Sequence, residues 1–135
     1  GNIDNSMGAA YVFIRDDNGD FNETQKLLTS NGEDGDWFGE WGIALEANTL
    51  VIGAAFEDGI DDGTQDKSGA AYIFTRNTNG EWLEKKILRA SNAGSGHKFS
   101  SAFDLDGEIL VIGASGENGI DDGTQNRSGA AYIFK

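Results

Sequence analysis

The chain has 135 residues, and its 38% hydrophobic and 24% charged content lies in the range of folded globular proteins. Twenty-three acidic residues against ten basic ones give a formal net charge of −13, which would repel a phosphate backbone and excludes nucleic acid as an expected partner. No apolar run approaches the ~20 residues that a membrane-spanning helix needs, and the absence of cysteine excludes disulfides and thiolate metal sites.

One six-residue sequence, Gly-Ala-Ala-Tyr-Val/Ile-Phe, begins at Gly8, Gly69 and Gly129. A second apolar block at residues 50–54 recurs at residues 110–114. Self-similarity at a fixed spacing is the mark of a repeat architecture. The chain is therefore a tandem array of one unit with a period of about 60 residues.

The composition predicts an all-β chain with many turns, because it combines twenty glycines, no proline and short runs rich in Val, Ile, Tyr, Phe and Trp. Asn-Gly pairs at residues 18–19 and 79–80 predict tight hairpins. The first unit has one extra residue between residues 38 and 50, which predicts a β-bulge there. The predicted strands lie at residues 10–14, 21–28, 49–54, 71–75, 82–88, 99–105, 109–114 and 129–134, with another ending at residue 45.

These strands group into units of four antiparallel strands, and radially stacked units of this kind are the blades of a β-propeller. The order of Phe38-Gly39, residues 50–54 and residues 69–74 resembles the FG-GAP repeat, known from integrin α-subunit propellers and from bacterial surface and secreted proteins. The resemblance implies a propeller-type array, with an incomplete ring because closure typically takes about four to eight blades. The expected division is a partial blade at 1–36, a full repeat at 37–97 and a partial repeat at 98–135.

The resemblance also implies a non-enzymatic interaction or structural module that is secreted and works outside the cell or at its surface. Its expected partner is protein, either copies of itself in an oligomer or filament or the rest of a larger propeller, because open strand edges tend to pair. Two alternatives stay open: a carbohydrate-binding, lectin-like module and an accessory propeller of a larger secreted hydrolase. The sequence shows no nucleophile with a histidine–acid pair, so no active site is expected.

An acidic, glycine-bearing loop that recurs in both units is the candidate metal site. Calcium requires several oxygen ligands, and this loop offers them, although its spacing differs from that of an EF-hand. Asp and Gly also dominate turns for reasons unrelated to metals. We therefore favour turn geometry as the reason for the repetition and keep calcium binding as the alternative. The candidate ligands are Glu57, Asp58, Asp61, Asp62, Glu117, Asp121 and Asp122.

Trp37 and Trp41 are the candidate ligand-binding residues. One period later the chain has Lys98 and Ala102, so the two tryptophans are not part of the shared pattern of the repeat. Their indole rings are therefore available to form a stacking platform for glycans.

Three further residue types carry predictions about burial. The tyrosines Tyr11, Tyr72 and Tyr132 recur at one strand position and are predicted to lie in the core between blades. His97, the only histidine, is predicted to be a surface loop residue. Asp104 is predicted to be exposed, because its apolar neighbours along the strand point to the opposite, packed face.

Overall fold

The computed structural model describes residues 6–59, 66–119 and 127–135. Within these ranges the chain is all β, which confirms the predicted fold class. None of the described residues belongs to a helix that is long and apolar enough to span a membrane. The strands are β1 (Ala10–Arg15), β2 (Phe21–Leu27), β3 (Ile43–Glu46), β4 (Thr49–Ala54), β5 (Ala70–Arg76), β6 (Trp82–Leu88), β7 (Phe99–Asp106), β8 (Ile109–Ala114) and β9 (Ala130–Phe134).

The strands form three antiparallel sheets that follow one another along the chain. The N-terminal sheet is the pair β1-β2, the middle sheet has the order β3-β4-β5-β6, and the C-terminal sheet has the order β7-β8-β9. Within each sheet, strands that follow one another in the sequence pair with each other, as in a propeller blade. The described strands do not close into a ring, which agrees with an incomplete propeller.

The register between β4 and β5 of the middle sheet is the same as that between β8 and β9 of the C-terminal sheet. Ile52 pairs with Tyr72 in the middle sheet, and Ile112 pairs with Tyr132 in the C-terminal sheet. Because successive side chains point to opposite faces of a sheet, this shared register places equivalent residues of both units on equivalent faces.

Two apolar cores separate the three sheets. Between the N-terminal and middle sheets, the core includes Ala10, Leu27, Phe38, Leu50, Ile52, Tyr72, Phe74 and Trp82. Between the middle and C-terminal sheets, it includes Val51, Ala71, Phe99, Leu110, Ile112 and Ala114. Alternate residues of β4 and β5 thus enter different cores, so these two strands are covered on both faces, whereas Ile43 and Leu45 of β3 are exposed.

The glycine that begins each of the first two hexapeptides allows close contact with the next unit. Gly8 and Gly69 have φ angles of +83° and +84°, which glycine adopts without steric cost. A Cβ atom at Gly69 would overlap the carbonyl oxygen of Phe99, and one at Gly8 would overlap that of Phe38. The glycine and the phenylalanine of the two motifs are therefore needed together, because their backbones pack at each junction.

The predicted bulge in the first unit is wrong. β3 pairs with β4 without a register shift, whereas β7 shifts its register between Phe99 and Ala102 in the second unit. In the first unit Gly39, with φ +87°, turns the chain before the strand begins, so the extra residue is absorbed in a bend. In the second unit Ser100, with φ 76°, occupies the equivalent position inside the strand and produces the bulge.

Candidate functional site

Trp37 and Trp41 both contact Phe56 at one end of the middle sheet. The ring centroid of Phe56 is 4.8 Å from that of Trp37 and 6.0 Å from that of Trp41. The Nζ atom of Lys98 lies 5.1 Å from the Phe56 ring centroid, within the range of a cation–π contact. Trp41 is 48% exposed. The structure thus brings the two predicted residues together with Phe56 and Lys98 in one partly exposed group, which we call the aromatic cluster.

Phe56 and Lys98 also belong to this cluster and were not predicted from the sequence. Phe56 has Gly116 as its counterpart in the second unit, and Lys98 is itself the counterpart of Trp37. The available signal was a departure from the repeat at these positions. A cleft of about 390 Å³ adjoins Phe56 and Lys98, so the cluster borders a space that a small ligand can enter.

Glu57, a candidate metal ligand, is buried and hydrogen-bonded within the protein. Its carboxylate accepts bonds from Asn31 Nδ2 at 3.1 Å and from the Gly59 backbone N–H at 2.8 Å, and it forms an ion pair with Arg89. The Tyr72 hydroxyl donates to Asn31 Oδ1 at 3.0 Å, and burial followed by the nearby Glu57 charge raises the pKa of that hydroxyl. This polar network joins the loop after β2 to the acidic loop after β4.

The same arrangement surrounds Glu117 in the second unit. Glu117 is buried and accepts hydrogen bonds from Asn92 Nδ2 at 2.9 Å and from the Gly119 backbone N–H at 2.6 Å. The Tyr132 hydroxyl donates to Asn92 Oδ1. The recurrence shows that both glutamates connect consecutive units of the fold.

The other candidate metal ligands are placed only in part. Asp58 is exposed and accepts a hydrogen bond from the Lys67 backbone N–H at 3.0 Å. Within residues 6–59, 66–119 and 127–135, no group of three or more His, Cys, Asp or Glu side chains is placed to hold a metal ion. Calcium binding by the acidic loops stays a prediction. Asp61, Asp62, Asp121 and Asp122 lie outside the described residues.

Asp36 is a buried acid that the sequence analysis did not identify. Burial raises its pKa to about 6, and the nearby charges of Glu57, Asp58 and Glu33 act in the same direction. The Glu33 backbone N–H donates to Asp36 Oδ2 at 2.8 Å and partly opposes this rise. The four acids border a groove of about 300 Å³. The counterpart of Asp36 is His97, so the repeat gave no signal for an acid here.

The predicted surface position of His97 is wrong. The residue is only 8% exposed, and its Nδ1 atom is buried without a hydrogen-bond partner in the described part of the chain. The imidazole ring lies against Gly94, where a Cβ atom would approach the ring to 2.7 Å. The first unit has Glu33 at the position of Gly94, so the missing side chain is what makes room for the ring. Asp104 is exposed, as predicted.

The tyrosine prediction holds for Tyr72 and fails for Tyr11. Tyr72 has no exposed surface because its side chain faces the N-terminal sheet, whereas Tyr11 is 51% exposed. Phe21 behaves similarly, at 68% exposed against 6% for its counterpart Trp82. In the described structure, no sheet covers this side of β1 and β2. We call the surface formed by Tyr11, Phe13 and Phe21 the N-terminal face.

The opposite end of the array presents a second uncovered surface. Ile133 is 65% exposed, although its counterpart Ile73 packs against the second core. Ala131 is also exposed, whereas its counterpart Ala71 is fully buried. We call the surface formed by Val111, Ala131 and Ile133 the C-terminal face.

Comparison with known protein families gives a match that covers most of the chain. The family model for the FG-GAP repeat matches residues 21–74 and 82–134, which together make up most of the chain. No curated protein and no solved structure matches the chain in the same comparisons.

Proposed function

Because the chain belongs to the FG-GAP repeat family, we propose that it is a non-enzymatic interaction or structural module that is secreted and works outside the cell or at its surface. Its binding surfaces are the N-terminal and C-terminal faces. The observation that carries the proposal is a contrast in burial: Tyr72 is fully buried between two sheets, but the equivalent Tyr11 is half exposed at the end of the array. The partner is a protein that covers these end faces.

Exposed aromatic side chains support this assignment. Scattered apolar residues are normal on protein surfaces, but contiguous apolar patches mark interaction sites. Tyr11 and Phe13 both lie on β1 and belong to the same patch as Phe21. Aromatic side chains are also the type most enriched at the centres of protein interfaces.

Site-specific photo-crosslinking in the native host tests this function. A photo-reactive amino acid at Phe21 or Ile133 is expected to capture protein partners in the extracellular or cell-surface fraction. The same group at Leu83, which is also exposed but lies in the middle sheet, is the matched control and is expected to capture none. The absence of crosslinked products at both faces, or a chain found only in the cytoplasm, would overturn the proposal.

The aromatic cluster favours carbohydrate binding as a second candidate function. Sugar rings stack on exposed indole faces, and Trp41 offers such a face beside Phe56, which itself lines the cleft. A glycan array is expected to show reproducible binding that is lost in Trp37→Ala and Trp41→Ala but retained in Leu83→Asn. An array without reproducible binding rejects this function. An attachment to a secreted hydrolase stays a prediction that the parent sequence tests.

Calcium binding to the acidic loops is a proposal of the same kind. It is supported by the exposed carboxylate of Asp58 beside the buried Glu57, because calcium prefers such oxygen ligands. Calorimetric titration of calcium into chelator-treated protein is expected to give heat that decreases in Asp58→Asn. No heat and no change in melting temperature would remove calcium as a cofactor.

A further inference from the structure

We propose that the N-terminal face of one copy of this chain docks on the C-terminal face of a second copy, so that copies stack head to tail. This inference rests on the proposed function and names the partner of the end faces. The two contacts between sheets within the chain serve as templates for the contact between copies.

The first template is the contact between the N-terminal and middle sheets. Tyr72, Phe74 and Trp82 of the middle sheet are buried there, and Tyr11, Phe13 and Phe21 occupy the same positions on the uncovered side of the N-terminal sheet. The surface that receives the buried aromatics is a smooth face of small and aliphatic residues, to which Ala10, Val12 and Leu27 contribute. The N-terminal face therefore requires a similar aliphatic surface as its partner.

The C-terminal face has that aliphatic character. Val111, Ala131 and Ile133 are the counterparts of Val51, Ala71 and Ile73 on the middle sheet. Those three residues support the next sheet in the second core, where Val51 and Ala71 are fully buried. The C-terminal sheet thus presents again the surface on which a following sheet already packs within the chain.

The extents of the two faces also correspond. Among the described residues, the N-terminal sheet has two strands, which are the counterparts of β5 and β6, and none equivalent to β3. On the C-terminal sheet, the strand equivalent to β3 is β7, and it exposes Asp104 at the position where β3 has the packed residue Ala44. The charged strand therefore lies where a docked N-terminal sheet, as far as its residues are described, has no strand to cover it.

The contact joins two different faces and is therefore heterologous, which allows a chain of copies to extend. It is also small: the three aromatics expose roughly 300 Å² if each can bury about 150–250 Å² in full, against ~800 Å² per partner in a standard interface. The net charge of −13 opposes association. We therefore expect weak, concentration-dependent association that strengthens with salt, because salt screens the repulsion.

Two single-face variants test the proposal by analytical ultracentrifugation in about 0.5 M salt, where the screening length is only a few ångströms. Phe21→Asp removes the N-terminal face and Ile133→Asp removes the C-terminal face. We expect the mass of the unaltered chain to rise with concentration, and each variant alone to stay monomeric. An equimolar mixture of the two variants is expected to form a one-to-one dimer, because each variant keeps one intact face.

The matched control is Leu83→Asn. Leu83 is exposed and apolar, and Asn22 already occupies its position in the preceding unit, so this variant is expected to associate like the unaltered chain. All altered side chains are exposed, and unchanged circular dichroism and urea midpoints verify the folds. Tyr11→Ser and Ala131→Glu replace either variant that unfolds.

A chain that stays monomeric at all concentrations overturns the proposal, as does continued association of either variant alone or a mixture that stays monomeric. Continued association of a single variant would show that identical faces pair. A monomeric chain leaves the proposed function standing, because photo-crosslinking at the two faces would then capture a different protein.

Discussion

The buried carboxyl of Asp36 makes the stability of the protein depend on pH in a direction opposite to that of an ordinary salt-bridged acid. Burial and the charges of Glu57, Asp58 and Glu33 raise its pKa from the ordinary value of 3.8 to about 6. Between these two values the unfolded chain is ionised and the folded chain keeps its proton. The contribution of Asp36 to stability therefore falls as the pH rises from about 4 to about 6. Above pH 6 the ionised carboxylate destabilises the fold to its full extent.

The size of this cost follows from the rise in pKa. A difference of about two pH units corresponds to about 3 kcal/mol, at ~1.36 kcal/mol for each unit. Replacing Asp36 by Asn removes the ionisation and keeps a side-chain oxygen that can accept the backbone N–H of Glu33. We therefore expect Asp36→Asn to raise the free energy of unfolding by about 3 kcal/mol at pH 7.5, with little effect at pH 3.5.

Urea unfolding of the original chain and the variant from pH 3.5 to 8 measures this difference. The difference curve is expected to rise between about pH 4 and pH 6 and then to level off. Asp34→Asn is the matched control, because Asp34 is exposed two residues away, and its difference curve is expected to stay flat. A stability gain in Asp36→Asn that does not change with pH would refute the reasoning.

Three further predictions concern stability measured by urea unfolding of dilute protein. Gly69→Ala is expected to lower the free energy of unfolding by at least about 3 kcal/mol, because its Cβ atom would overlap the backbone of Phe99. Gly96→Ala should lower it by only about 1 kcal/mol, because Gly96 has a similar φ angle but open space around it. Equal losses would contradict the packing explanation. Ile112→Ala should lower the free energy of unfolding by about 2–5 kcal/mol, and Ile133→Ala, at an exposed position, by less than about 1 kcal/mol. The reverse order would exclude the assigned core. Glu57→Ala should lower the free energy of unfolding by about 1–3 kcal/mol because it leaves partly buried donors without their acceptor, and a loss below about 0.5 kcal/mol would count against the network.

Much of the fold could be predicted because the repeat displays the same alternation more than once. The two copies of the β4 and β8 sequence gave the same strand assignment, and the Asn-Gly pairs fixed the hairpin positions. The bulge was misplaced because a length difference shows that one unit has an extra residue without showing where the backbone absorbs it. That position depended on the φ angles of Gly39 and Ser100.

The candidate site was predicted less completely. Trp37 and Trp41 were found because they interrupt the repeat. Their contact with Phe56 depends on antiparallel pairing, which brings the start of β3 and the end of β4 to the same end of the sheet. The sequence pointed to Glu57 only as a candidate metal ligand in an acidic loop. Its partly buried bonds to Asn31 and Arg89 join residues that are distant in sequence, so no local sequence pattern could predict them.

By itself, the sequence determined the all-β class, the unit of about 60 residues and the family, because these depend on local alternation and on recurrence along the chain. Only the tertiary structure decided which copies of a repeated residue are buried. Tyr11 and Tyr72 have the same local sequence, yet Tyr72 faces a neighbouring sheet and Tyr11 does not. Burial depends on what lies across the face of a strand, and that neighbour comes from a different part of the chain.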